Sequence, residues 1–244
     1  MKSRNIIIIP TYNEELNLGN LLEKLKSAFP DFFLLIIDDS PNNLTKEMFE
    51  NHKNEKCKII CRNRKLGRGS AVRVGFEYAI KNDYSMIVEM DGDLSHDPID
   101  LNNMIKEFEK NNIDIIIGSR YLKESKIINR PKTRIIFSNL GNLLARFLFD
   151  YSIKDYTNGY RIYKNEFIKK VIERDQINSG FIYLTEILVI ALKNNFKISE
   201  SPITFVERVK GNTSVKLINM IESFFGILNL KLKNFKHKEK FSNF

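Results

Sequence analysis

The chain has 244 residues, 43% of them hydrophobic, and a formal charge of +9. That apolar share excludes wholesale disorder, and the length fits one large α/β domain or one domain with a small appendage. The basic balance permits phosphorylated small molecules, nucleic acid or an acidic membrane surface as partners and selects none of them. Biased base composition would account equally for the Lys, Asn and Ile content.

The N-terminus enters an apolar run, Ile6–Ile9, without the basic, apolar and small-residue order of a signal peptide. Further runs follow at Phe32–Ile37, Lys58–Cys61, Met86–Val88 and Ile113–Ile117, and between them Leu16–Ala28 and Ala71–Ile80 carry apolar residues at helical spacing. β-Branched runs without polar alternation suit strands covered on both faces, which predicts an α/β fold with a doubly wound, mostly parallel sheet and right-handed crossovers. The two cysteines, Cys57 and Cys61, share one face of the third run, and with no histidine nearby they are expected to be reduced core thiols. Helices are predicted over Arg134–Phe149 and around Thr185–Leu192, an extended piece through Pro202–Phe205, and a last apolar helix, Val215–Leu232, running into the basic tail Lys231–Lys240. The expected division is residues 1–210 as the main domain and 211–244 as a C-terminal element that lies on a membrane or acts as a lid. No stretch reaches the ~20 apolar residues of a spanning helix, so the expectation is a cytoplasmic body, peripheral at the cytosolic membrane face.

Ligands on doubly wound sheets bind beyond the carboxyl ends of the strands, and polar insertions fall at those ends: Pro10-Thr11-Tyr12-Asn13-Glu14, Asp38-Asp39-Ser40, Asp91-Gly92-Asp93 and Gly118-Ser119-Arg120. Asp91 and Asp93 at a strand end can reach one hard cation, Mg²⁺ or Mn²⁺, from the same side. Gly92 gives the turn room and lets a diphosphate approach the backbone. Asp39 sits where a carboxylate accepts from ribose or a base edge, or else caps a helix near Ser40 and Asn42. Tyr12 is placed to lie against a base, and Glu14 to bind ribose or cap the first helix. Lys65-Leu66-Gly67-Arg68-Gly69-Ser70-Ala71 opens a helix, where glycines and free N–H groups can face phosphate or simply make a tight turn, and it matches neither the P-loop nor the dinucleotide fingerprint. Arg120, Arg134 and Arg208 are candidate phosphate clamps. His96 is the one histidine near this set, with capping or surface placement expected for it.

Taken in order, PTYNE (10–14), DDS (38–40), KLGRGSA (65–71), DGDLSHDP (91–98), GSRY (118–121), Arg134 with Ser138, DYTNGYR (155–161) and PITFVERVKG (202–211) resemble the family 2 inverting glycosyltransferases, most closely the dolichol-phosphate mannose synthase group. The resemblance spans nearly the whole chain and implies a nucleotide-sugar-binding, Rossmann-like GT-A fold. It implies that Pro10, Tyr12, Glu14, Ile37 and Asp39 contact base and ribose, and that Gly92 and Arg208 also belong to the donor site. Asp91 and Asp93, together with Ser95, would hold the metal and diphosphate. Arg120, Arg134, Ser138 and Arg208 would surround the acceptor phosphate and the donor diphosphate, and Asp91, Asp93 and Arg120 would form the catalytic set. The chain departs from the family in three places: Asp-Gly-Asp replaces Asp-Ala-Asp, Ser95 stands where a glutamine is frequent, and Ser214, with Lys216 two residues on, stands where a loop lysine is frequent.

The resemblance implies a nucleotide-sugar donor, GDP-mannose foremost, and a polyprenyl or dolichyl phosphate acceptor at a membrane surface, with a membrane-anchoring partner protein as one source of attachment. A phosphate monoester is already anionic near neutral pH and attacks the anomeric carbon without a base. A rival reading, transfer to a sugar hydroxyl of lipopolysaccharide or capsule, requires a carboxylate base and would make Glu186 or Asp155 decisive. A non-catalytic nucleotide- or nucleic-acid-binding module lacks aromatic platforms and leaves Asp91 and Asp93 unexplained, so no nucleic acid is expected as a partner.

Overall fold

The computed structural model describes residues 4–174, 177–207 and 224–232. In chain order the elements are β1 (Asn5–Thr11), α1 (Glu15–Ala28), β2 (Phe32–Asp38), α2 (Leu44–Glu50), β3 (Cys57–Cys61), α3 (Arg68–Lys81), β4 (Met86–Glu89), α4 (Asp100–Lys110), β5 (Ile115–Ser119), β6 (Lys126–Ile128), α5 (Lys132–Leu148), β7 (Arg161–Lys164), α6 (Asn165–Ile172), α7 (Tyr183–Lys193), β8 (Ile198–Pro202) and β9 (Thr204–Val206).

Each predicted run became a strand, and the alternation of side chains along it explains why the runs are apolar throughout. Ile6 and Ile8 of β1 and Leu35 and Ile37 of β2 point into one core with α3, α6 and α7. Ile7, Ile9, Leu34 and Ile36 point into the other with α1 and α4. These strands are covered on both faces, and each fully buried aliphatic side chain contributes ~1.5–3 kcal/mol. Cys57 is buried, and both cysteines are free thiols.

The seven-stranded sheet runs in the order β3-β2-β1-β4-β7-β5-β8. β7 is antiparallel to both β4 and β5, and the remaining pairs are parallel. A small parallel pair, β6 with β9, stands beside the main sheet. Gly75 lets α3 lie close on β1, since a Cβ there would come within 2.5 Å of Ile8.

Residues 224–232 are helical, as expected for the end of Val215–Leu232. This turn packs onto the body: Ile227 is 2% exposed and joins the same core as α3 and α7, and Lys231 donates to the Leu148 carbonyl. The remainder of that predicted helix, Ser214, Lys216, and the lysines of the basic tail beyond Lys231 lie outside the described residues. Among the described residues no helix is long and apolar enough to cross a membrane.

Candidate active site

A cavity of about 640 Å³ opens at the carboxyl ends of β1, β2, β4 and β5. Of the sequence-predicted residues it brings together Pro10, Tyr12, Glu14, Asp39, Asp91, Gly92, Asp93, Ser95, Arg120, Arg134 and Ser138. Ile37 does not line it, because strand alternation turns its side chain into the core under α3, where it is fully buried. Arg208 lies outside the described residues.

At one end, β1 and β2 finish side by side. Asp38 accepts from the Thr11 and Ser40 hydroxyls at 2.8 and 2.7 Å, and Ser40 Oγ accepts from the Asn13 amide. Burial raises the Asp38 pKa, and those hydrogen bonds oppose the rise. Asp39 caps no helix. Arg62 grips both of its oxygens, at 2.5 and 2.7 Å, and the Leu66 amide adds a third bond at 2.9 Å. The carboxylate is thereby fixed in orientation at the cavity wall. Glu14 makes no side-chain cap on α1; it accepts from Asn17 Nδ2 at 2.9 Å. The Lys65 ammonium lies 4.6 Å from the centre of the Tyr12 ring.

The acidic turn follows β4. Asp93 Oδ1 accepts from the Ser95 amide at 3.0 Å, and Leu94 at the reversal takes a left-handed φ of 63°. A Cβ on Gly92 would lie 2.8 Å from Thr11, so the glycine lets the turn press against the end of β1. His96 departs from its expected capping or surface placement. It is 1% exposed and stacks on Tyr160 at 4.8 Å. Its Nδ1 accepts from the Asp91 amide at 3.3 Å, which leaves Nε2 to donate to Asn158 Oδ1 at 2.9 Å. Because α4 begins only at Asp100, the His96 ring is free to turn inward and brace the turn that carries Asp91.

The donor set of this turn fits a hard divalent ion. Asp91 and Asp93 offer carboxylates, and Ser95 Oγ is buried without a hydrogen-bond partner among the described residues. Among the described residues no group of three or more His, Cys, Asp or Glu side chains is poised to hold a metal. An ion here therefore needs oxygens from phosphate and water, as Mg²⁺ sites at phosphates do.

Beneath the turn lies an ion cluster that the sequence reading left unassigned. Glu89 is fully buried at the end of β4 and accepts from Tyr163 at 2.9 Å and from Tyr183. The Arg68 guanidinium stands 3.0 Å from Glu89 and 2.6 Å from Asp91, and its other terminal nitrogen donates to Tyr183 at 2.6 Å. Burial works against the charge of Arg68, and Asp91, Tyr183 and Glu89 more than offset it, so its pKa lies above the ordinary guanidinium range. Gly159 of DYTNGYR makes the space, since a Cβ there would meet Arg68 at 2.3 Å. The KLGRGSA segment thus supplies a buried counter-cation to the acidic turn, a role outside both sequence readings of it, the tight turn and the phosphate-facing helix start.

The far end of the cavity is lined by guanidinium groups. Arg120 pairs with fully buried Asp155 through two 2.8 Å bonds and reaches Thr157 at 2.7 Å. Arg134 is bonded to Glu207, and Tyr121 donates to Ser138 at 2.8 Å. Arg130, absent from the sequence-derived set, lines the same wall. The loop that carries Asp155 is held by Arg161, whose three side-chain nitrogens bond the carbonyls of Asn158, Leu184 and Tyr156 at 2.8, 2.7 and 2.9 Å.

Neither carboxylate required by a hydroxyl acceptor faces the cavity. For Asp155, burial pushes the carboxyl pKa up, but pairing with Arg120 outweighs it and holds the group below the usual carboxylate range. Glu186 does not line the cavity; it accepts from the Asn178 amide at 2.7 Å.

The sequence profile of glycosyl transferase family 2 matches residues 6–172. The chain is 32% identical over 227 residues to a polyprenol monophosphomannose synthase of Mycolicibacterium smegmatis, covering 92% of this chain and 85% of that one. It is 32% identical over 215 residues to an undecaprenyl-phosphate mannosyltransferase of Micrococcus luteus, covering 87% of each. Among solved structures, the fold resembles a glucosyl-3-phosphoglycerate synthase of Mycobacterium tuberculosis crystallised with Mn²⁺, uridine diphosphate and glucosyl-3-phosphoglycerate, with a TM-score of 0.69 at 13% identity over 95% of this chain and 80% of that one. The same mycobacterial enzyme with Mg²⁺ and uridine diphosphate gives a TM-score of 0.69 over 94% of this chain and 79% of that one.

A mostly parallel sheet carrying an acidic turn and a deep cavity at its carboxyl edge is the architecture of a GT-A glycosyltransferase. The chain belongs to glycosyl transferase family 2.

Proposed function

We propose that this chain transfers a sugar, mannose foremost, from a nucleotide-sugar to a polyprenyl or dolichyl phosphate with inversion, as a peripheral protein on the cytosolic membrane face. The observation that carries the reading is one cavity with an aspartate end and an arginine end, from which Asp155 and Glu186 are turned away. The two mannose-transferring relatives at 32% identity support the choice of sugar and acceptor.

In this reading Pro10, Tyr12, Glu14, Asp39 and Gly92 hold base, ribose and diphosphate, with Arg208 assigned to the same site. Asp91 and Asp93, with Ser95, hold a Mg²⁺ or Mn²⁺ ion that, when bound, neutralises the departing diphosphate. Arg120, Arg134 and Ser138 orient the acceptor phosphate. Its second pKa is about 6, so near neutral pH an oxygen already carries the electron pair it needs. That oxygen forms a bond to the anomeric carbon as the bond from that carbon to the diphosphate oxygen breaks. The nucleoside diphosphate leaves with the bonding pair, and no proton has to move. Displacement from the opposite face turns an α-linked donor into a β-linked product, and catalysis rests on alignment and charge.

The lipid has an apolar route. Phe137, Leu140, Phe181, Ile182 and Phe224 line the cavity beside the arginines. Along the outside of α5, Ile136, Leu140, Leu143 and Phe147 recur at helical spacing and are 57%, 49%, 52% and 82% exposed. An apolar stripe that continues the cavity wall suits the headgroup–acyl boundary of a bilayer.

The test is incubation with several labelled nucleotide-sugars, polyprenyl phosphate and Mn²⁺, followed by extraction. A labelled, β-linked lipid is expected with at least one donor, GDP-mannose first. Label passing to a sugar hydroxyl, and never to the lipid phosphate, would overturn the proposal.

A further inference from the structure

We infer that Arg130 is a principal ligand of the acceptor's phosphate, the side chain that makes a phosphate monoester rather than a hydroxyl the obligatory acceptor. The inference rests on the transfer reaction proposed above. Arg130 lies between β6 and α5, immediately before Pro131, and its side chain is 10% exposed on the cavity wall. Its Nε and Nη1 are buried and have no hydrogen-bond partner among the described residues. Its ion-pair partner among the described residues is Glu207, whose Oε2 is 3.7 Å from Nε, beyond hydrogen-bond range. The guanidinium is instead held 5.2 Å from the centre of the Phe205 ring, and Arg120 sits 5.4 Å from the same ring.

The charge balance points to this residue as the one suited to an anion. Among the described residues, three guanidiniums, of Arg120, Arg130 and Arg134, pair with two carboxylates, of Asp155 and Glu207, which leaves one positive charge in excess within that set. Arg120 spends Nε and Nη2 on Asp155, and Arg134 binds Glu207 directly. The excess therefore falls on Arg130, which is also the member with unsatisfied N–H groups. Burial, and then the neighbouring Arg120 charge, push its pKa below the usual guanidinium value, although a guanidinium stays protonated in a protein. A phosphate dianion set here would supply acceptors to both bare nitrogens and cancel the excess charge. A hydroxyl acceptor would do neither, so the cavity would select against it.

The experiment compares the wild type with Arg130→Gln and Arg130→Lys. For Arg130→Gln the expected result is a rise of about 30-fold or more in KM for polyprenyl phosphate, with KM for the nucleotide-sugar held within about threefold. Arg130→Lys, which keeps the charge but not the spread of donors, should recover part of the loss. Inorganic phosphate, tested as a competitor of the lipid and by thermal shift on the enzyme alone, separates headgroup from tail. Both responses should weaken in Arg130→Gln by a factor similar to that of the lipid KM. Because that substitution removes a buried cation whose Nε and Nη1 lack hydrogen-bond partners among the described residues, its melting temperature should match or exceed the wild type, which separates ligand loss from misfolding. An unchanged lipid KM with unchanged phosphate response, or equal losses for donor and acceptor, would overturn the assignment. Wild-type enzyme that binds phosphate through Arg130 but transfers to no polyprenyl phosphate would instead sink the proposed function and leave the anion site standing.

Discussion

Replacing Arg68 with Met tests the ion cluster beneath the acidic turn. Glu89 is fully buried, and among the described residues it is held by the hydroxyls of Tyr163 and Tyr183 and by the Arg68 guanidinium at 3.0 Å. Methionine keeps most of the volume of the arginine stem while leaving Glu89 without that cation and Asp91 without its 2.6 Å neighbour. At an effective dielectric of about 20, the Arg68–Glu89 attraction is roughly 5 kcal/mol. Breaking a buried pair from one side costs about 3–5 kcal/mol, because the stranded charge keeps its desolvation penalty. For a chain of this size that corresponds to a fall of about 6–20 °C in melting temperature. Urea denaturation followed by circular dichroism measures the change. The double variant Arg68→Met, Glu89→Gln should recover at least half of it, since the amide is uncharged, its oxygen still accepts from one tyrosine and its nitrogen donates to the hydroxyl oxygen of the other. An Arg68→Met loss under about 1 kcal/mol, or a double variant no more stable than the single one, would refute the assignment of Arg68 as the counter-charge of Glu89.

Asp91→Ala is expected to leave the fold intact by circular dichroism and to lower kcat by about 1,000-fold or more, the scale set by metal-borne charge stabilisation; normal turnover by this variant with divalent ions chelated would contradict the mechanism. Asp155→Asn should cost about 3–5 kcal/mol at neutral pH by breaking the buried pair with Arg120. Because the folded-state pKa of Asp155 is depressed, its contribution is present above the unfolded value of about 3.9 and is lost as pH falls through the lower folded value. The acid limb of the wild-type stability curve should therefore flatten in Asp155→Asn; an unchanged slope below about pH 4 would show that Asp155 does not drive it. Leu143→Glu with Phe147→Glu, on the exposed stripe of α5, should alter stability by no more than about 1 kcal/mol while reducing sedimentation with anionic phospholipid vesicles. Vesicle binding equal to wild type would remove α5 from the membrane-facing surface.

The first half of the fold was legible because its strands are buried on both faces. Ile6–Ile9 and Phe32–Ile37 could be read without reference to anything distant, and the polar groups that follow them fell on one edge. What could not be read was pairing across the chain. Arg68 looked like part of a tight turn, and its role depends on Glu89, Asp91, Tyr183 and the space left by Gly159. Glu186 and Asp155 looked equally available as bases, and only tertiary contacts with Asn178 and Arg120 showed both to be engaged. Arg130 carried one usable signal, its place in Arg130-Pro131 just ahead of the helix bearing Arg134 and Ser138. Ile37 was assigned to the donor by likeness alone, and counting alternate positions from Asp38 would have sent it inward.

The reversed direction of β7 has a consequence for how acceptor choice can change. Since this strand runs against β4 and β5, its entrance, rather than its exit, arrives at the edge where they finish. Residues 155–160 are thereby delivered next to Asp91 and Arg120 by a part of the chain that encodes none of the donor contacts assigned to β1 and β2. If the proposed roles hold, the two halves of the reaction are written in separable stretches of sequence. Exchanging the stretch between β5 and β7 among related enzymes should redirect the receiving molecule while the sugar supplied stays the same.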